Sequence, residues 1–333
     1  MKIVSTTRAP GPLLPRTIFG YILRCSWRHQ LALGALSVIV FLVTTVPLEL
    51  QRRIINDAIY RGDVAAVLWL AAAYGAVALT EGGVKLGMNI YRGWVGENAV
   101  RHLRNTIHAN VRPISGASSA EAEGVEISLV LSEVEPIGNF VGVSTSEPLL
   151  QGGILLSVFG YMIYLQPEIA AVSLLVFSPQ FVFVPLMQHA IIHRSASRIR
   201  VLRDISGGII NDAPRDGDHE TAQKTRIERV FALNMGIYKL KFSMNFLMNL
   251  MHHLGIAAVL GVGGWYAATG KIEVGTVVAF ISGLAKLNDP WGDLVNWFRE
   301  ATSSGIKYRL VADAVERLRV PTPVPQDARA ARA

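Results

Sequence analysis

Lys286, Asp289, Asp293 and Asn296 follow one another at intervals of three, four and three residues, and Glu300 stands four further on. On a helix that spacing gathers the first four within an arc of about 80°, while Leu287, Trp291, Leu294 and Phe298 take the other faces. A stripe carrying both signs suits a molecule with polar or zwitterionic groups. At mid-bilayer, however, each charge costs about 2.5 to 3.5 kcal/mol. Two readings stay open: the stripe faces a cavity or partner, or Lys286 and Asp289 neutralise each other in hydrated helix near the cytoplasmic boundary. Asn249 and His253, with Asn245 and His252 beside them, are four apart and share a face. They either join the same cavity or hydrogen-bond from helix to helix. His189 and His193 are also four apart, but no third ligand stands near them, so a place beside Arg194 at an interface is expected rather than a metal site. Cys25 is the single cysteine of the chain, which excludes an intrachain disulfide and leaves a small apolar residue.

The elements that must position these residues are apolar. Hydrophobic types make up 51% of the 333 residues and charged types 17%, against about 25% in ordinary globular chains. A helix needs about 20 apolar residues to cross the hydrocarbon core. Runs free of Asp, Glu, Lys and Arg extend from Leu31 to Leu48, Val64 to Thr80, Pro148 to Pro167, Ile169 to Ile192 and Phe242 to Gly270. A sixth begins at Val274, after a turn of Gly270, Lys271, Ile272 and Glu273, and becomes polar at Lys286. Only Pro167 and Glu168 stand at the turn between the third and fourth runs, so a tight hairpin is expected there. Before the first run, Thr17 to Gln30 interleaves Ile18, Phe19, Tyr21, Ile22 and Trp27 with Arg24 and Arg28, the pattern of a helix lying along a membrane surface. No small-residue cleavage site follows Leu31, so these residues are read as retained rather than as a cleaved signal.

Charge tests the six-span count. The net charge of +7 could suggest nucleic acid, but the basic residues lie between apolar runs rather than on one patch. Twenty-seven of the thirty-two Lys and Arg fall in the segments before span one, between two and three, between four and five, and after six. Four fall in the other connections. Basic residues mark the cytoplasmic side, so both termini are expected there. The two central inward connections are too long for plain loops. In the first, Val84, Met88, Tyr91, Val95, Ala99, Leu103, Ile107 and Val111 recur at helical spacing, so span two should continue inward as one helix and turn near Pro113 to Ser119. Gly207, Gly208, Pro214 and Gly217 mark a second turn.

Six spans with two long inward helical excursions resemble the transmembrane domain of ABC exporters, over about residues 16 to 318. The most specific stretch is Gly270, Ile272, Val274, Gly275, Thr276, Val278, Ala279 and Phe280, followed by Pro290, Leu294 and Ala301, similar to the family's sixth span. Gly124, Glu126, Ile127, Ser128, Glu133, Val134 and Ile137 resemble the segment after its first inward turn, with an extra residue after Gly124 and Leu129 where arginine is common. Ile209 to His219 lacks the Glu-x-Leu-x-Gly-Ile pattern of the second turn.

What the resemblance implies is an all-α polytopic membrane protein with six transmembrane helices and long cytoplasmic helical extensions. Residues 1–30 would form a cytoplasmic N-terminus with an interfacial elbow helix, 31–300 the transmembrane domain, and 301–333 a cytoplasmic helix and a Pro/Ala-rich tail. The chain would be the pathway-forming permease subunit of an exporter in the plasma (inner) membrane, dimerising with a second transmembrane subunit. Lys286, Asp289, Asp293, Asn296, Asn249 and His253 would line the substrate pathway. Pro113, Ile114, Ser115, Gly116 and Ser118, with Ile209, Asn211, Asp212, Arg215 and Asp216, would contact a separate nucleotide-binding (ATPase) subunit. ATP and Mg would be held by that partner. No P-loop occurs in these residues: Trp265 to Ile272 has Trp265 where the first glycine belongs and Ile272 where a hydroxyl belongs. This chain itself is therefore expected to be no enzyme, to bind no metal and no nucleic acid, and to drive transport by alternating access. The alternatives are an exporter fragment without ATPase that is inactive or regulatory, and a nucleotide-independent carrier or channel using the same charges as a relay.

Overall fold

The computed structural model describes residues 14–59, 62–110, 132–210 and 217–317. Among them, every regular element is helical. Helix α1 is Ile18–Arg53, α2 is Val64–Asn110, α3 covers 132–143, α4 is Ser146–Leu165, α5 is Pro167–Phe177, α6 is Gln180–Ile210 and α7 is Gly217–Ala258. Then come α8, Gly264–Ala268, α9, Val274–Ala285, and α10, Asn288–Arg317. π-helical turns extend α1 through Ile54–Ile59 and join α7 to α8 through Val259–Gly263.

Five of these stretches are long and apolar enough to cross a membrane: Ile18–Asp57, Val64–Ala109, Ser146–Leu165, Pro167–Leu202 and Thr221–Ala268. The expected sixth span is not one long helix. α9 stops after 12 residues, and α10 begins beyond a turn at Lys286 and Leu287. Pro290 explains the break, since it has no N–H for the carbonyl four residues back and its ring crowds that turn. Three other expectations shift. The surface helix and span one are a single α1, kinked at Ser26, whose φ and ψ of −138° and 16° interrupt the helix and whose hydroxyl donates to the Ile22 carbonyl. Span four is interrupted at Ser178 and Pro179 between α5 and α6. Gly207 and Gly208 lie inside α6 rather than in a turn, and Gly217 opens α7. The tight hairpin after α4 is present, with Gln166 alone between the helices and Pro167 at the first helical position, where a missing N–H costs nothing.

The chain packs as two units. The first draws on residues up to Ile39, Gly83–Leu150 and Glu300 onward. Its core uses the inward face of α2 that the sequence spacing marks: Met88, Val95, Ala99, Leu103 and Ile107 are buried, with Tyr21, Val134, Ile137, Phe140, Tyr308 and Val311. The Tyr21 hydroxyl donates to the Ala99 carbonyl, and its ring lies 5.5 Å from that of Tyr308. α2 and α3 touch backbone to backbone. A Cβ on Gly138 would stand 2.2 Å from Val100 Cγ2 and one on Gly142 2.3 Å from the Arg92 carbonyl oxygen, so only glycine fits this four-residue repeat.

The second unit comprises Val40–Gly82 and Gln151–Arg299. α6 and α7 run together as a long helical pair, tied by Arg194 donating to the Gly236 carbonyl at 2.8 Å. Where α1 ends, Glu49 takes a two-pronged contact from Arg52 at 2.9 Å and a hydrogen bond from the Tyr161 hydroxyl of α4 at 2.7 Å. Asn56 accepts from the Gly275 N–H at 2.7 Å and donates to Glu273, so the start of α9 is fastened to the end of α1.

Candidate functional site

The break between α9 and α10 decides how the charged stripe is laid out. Lys286 and Leu287 donate their N–H groups back to the carbonyls of Gly283 and Leu284 at 3.0 and 3.1 Å, and the helix resumes when Trp291 N–H reaches the Leu287 carbonyl. Lys286 therefore does not continue the face of Asp289, Asp293 and Asn296, as an uninterrupted helix would require. Its ammonium donates to the Thr44 carbonyl at 2.8 Å and lies 4.0 Å from Glu81 Oε2, while the Thr44 hydroxyl donates to Glu81 Oε1 at 3.0 Å. Glu81, not Asp289, is the carboxylate of this ion pair.

Asp289, Asp293 and Asn296 remain on one face of α10. The two acids are exposed and Asn296 is half-buried. Gln151 of α4 donates to Asp293 Oδ2 at 3.1 Å, which orients one carboxylate. On α7, Asn249 and His253 are both exposed, whereas the neighbouring His252 lines a small cavity with Ser173, Phe177, Met251, Gly255, Leu284 and Asn288. Of the two histidines it is thus His252, not His253, that lines this cavity with Asn288 of α10. The rings of Phe177, which lines this cavity, and of Phe181 stand edge-on to Trp291, with centroids 6.2 and 4.9 Å away.

Glu81, Thr44 and Gln151 were not singled out from sequence. Glu81 ends the second charge-free run and so reads as a boundary; the signal for it was the helical period that continues past it to Ile107. His189 and His193 are exposed on α6, and among the described residues no three His, Cys, Asp or Glu stand together as a metal site. Of the expected coupling residues, Ile209 lies in the last turn of α6. Pro113, Ile114, Ser115, Gly116, Ser118, Asn211, Asp212, Arg215 and Asp216 lie outside the described residues.

No family model matches the chain. It is similar to an ATP-dependent lipid A-core flippase of Syntrophus aciditrophicus (strain SB), 23% identical over 262 residues, a stretch covering 73% of this chain and 42% of the flippase. The chain thus spans about two-fifths of the length of the relative it matches. The five apolar helices among the described residues and this similarity together point to a multi-pass membrane protein.

Proposed function

We propose that this chain is the membrane-spanning part of an ABC-type exporter and forms a translocation pathway driven by an ATP-hydrolysing unit outside these 333 residues. The observation that carries the reading is the flippase similarity, which extends over most of a chain that also has long, apolar, hairpin-paired helices. In this reading α9 and the first turns of α10 together make the sixth span. α9 is 18 Å long at 1.5 Å per residue, short of a hydrocarbon core of about 30 Å, so the acids of α10 fall at membrane depth. Their cost in lipid is removed when Asp289 and Asp293 face a water-filled pathway. A second copy or a related chain completes that pathway. Pro113 to Ser119 and Ile209 to Asp216 contact the ATPase, whose closure switches the cavity from inward- to outward-facing.

The substrate class supported by the exposed α10 face is an amphipathic molecule with polar or charged groups. The test is reconstitution of the chain with a candidate ATPase unit in vesicles, comparing wild type with Asp289→Asn/Asp293→Asn, which keeps shape and removes charge. The paired change should leave assembly intact and lower substrate-stimulated ATP hydrolysis at least tenfold. Unchanged stimulation removes these acids from the pathway. Transport by the chain without ATP favours the nucleotide-independent carrier instead.

A further inference from the structure

The Lys286 contact joins two helices that each carry a proline nearby in sequence. Pro47 lies inside α1, where it lacks an N–H and crowds the preceding turn, and the Thr44 carbonyl belongs to that turn. Pro290 breaks the helix after α9 and leaves Lys286 at its C-terminal end, where a cation is favoured by the aligned peptide dipoles. The Lys286 ammonium joins the end of α9 to the proline-containing turn of α1, 2.8 Å from the Thr44 oxygen. Glu81 closes the triangle, holding the Thr44 hydroxyl at 3.0 Å with one oxygen and facing the ammonium with the other. Its side chain is only 13% exposed and that of Lys286 30%. Thr44 itself stands in the first charge-free run, so on the transport reading an ion pair sits at membrane depth, where an ionisable group is costly unless it has a use.

We propose that Glu81 is a positioning residue: it holds Lys286 against α1 and away from the pathway, and this clasp must open and re-form for the sixth span to move. The inference rests on the proposed transport function but concerns a residue outside the pathway stripe. With Lys286 matched by Glu81, the charge that α10 offers a substrate is that of Asp289 and Asp293. The helix break is the natural pivot, because Pro290 has no N–H to offer the Lys286 carbonyl, and the Lys286 ammonium fastens this point to the Thr44 carbonyl of α1.

The experiment uses the full chain in phospholipid nanodiscs. It compares Glu81→Gln, Lys286→Met, the reversed pair Glu81→Lys/Lys286→Glu and the apolar pair Glu81→Met/Lys286→Met. Each single change should lower the thermal midpoint by several degrees, because it leaves one charge buried without its counterpart. The reversed pair should recover more than half of that loss, and the apolar pair should match wild type in stability, since replacing both charges of a buried pair is often neutral. In vesicles with the ATPase unit, the apolar pair should nevertheless transport at least tenfold more slowly. Recovery absent from both paired variants overturns the clasp. An apolar pair that transports at the wild-type rate reduces it to a packing contact and overturns the positioning role. The paired variants decide the matter even where a single change blocks insertion. Thermal coupling needs no ATPase, so a wild-type chain that shows coupling but moves nothing overturns the transport function and leaves the clasp standing.

Discussion

Arg92 is 9% exposed in α2, held by Glu147 at 2.7 Å and by the Ser146 hydroxyl at 2.8 Å. Its stem fills the groove in which α2 meets the start of α4, and its charge is tolerable there only because the carboxylate is matched to it. Glu147→Gln keeps the shape and removes the charge, so the chain should lose about 3 kcal/mol of stability, read as a lower thermal midpoint in detergent. Gly142 presses on the same arginine from α3. Gly142→Ala places a methyl 2.3 Å from the Arg92 carbonyl oxygen, a backbone atom that cannot turn aside, and should cost about 1–3 kcal/mol by the same measurement. Tyr308 supplies a pH dependence. Burial, and then the neighbouring Cys25 thiol, push its phenol well above the ordinary range, and its hydroxyl donates to the Pro15 carbonyl at 2.8 Å. The unfolded phenol ionises near pH 10 while the folded one stays neutral, so this contribution is complete below about pH 10 and is lost as pH rises beyond it. Tyr308→Phe should therefore flatten the fall in thermal midpoint above about pH 10.

At the scale of elements, the join between α1 and α9 makes the sharpest demand. A Cβ on Gly275 would lie 2.4 Å from Asn56 Oδ1 and 2.6 Å from the Arg52 carbonyl oxygen. The side chain can move but the backbone must be pushed, so Gly275→Ala should break the Asn56 hydrogen bonds and cost about 1–3 kcal/mol of stability, read as a lower thermal midpoint. Asn56→Ala in the same background should add little, since the bonds are already gone. Helices of this kind are legible in sequence because charge-free length and a 3.6-residue period are local properties, and α2 follows its marked face from Met88 to Ile107 for that reason. The breaks are harder to see. Pro290 follows the apolar part of span six and reads as an ordinary boundary residue, yet it places Lys286 on a different element from Asp289. Pro179 and Ser26 act likewise within stretches whose composition looks uniform. The partners of the stripe were hidden for another reason: Glu81 and Gln151 lie 205 and 142 residues from Lys286 and Asp293, and spacing along a chain says nothing about pairs that folding alone brings together.

For the whole molecule, the number of crossings sets the side on which the chain ends. Among the described residues five helices meet the length and hydropathy needed to span a bilayer, and an odd count would put the two ends on opposite sides. The distribution of Lys and Arg, heavy in alternate connections and in both terminal segments, calls for an even count. The two are reconciled if α9 and the start of α10 cross together despite the break, which requires Asp289 and Asp293 to be tolerated in a hydrated pathway. Cysteine labelling separates these arrangements, and the sequence suits it, because exposed Cys25 is the single cysteine and can be changed to serine for a clean background. In intact cells a membrane-impermeant thiol reagent should label Gly62→Cys and Lys271→Cys and leave Ser118→Cys and Ala330→Cys untouched until the membrane is opened. Labelling of Ala330→Cys from outside, with the other three as expected, means that the chain after α9 does not cross. The acids of α10 would then lie in water at the outer face, and they could not line a transmembrane pathway.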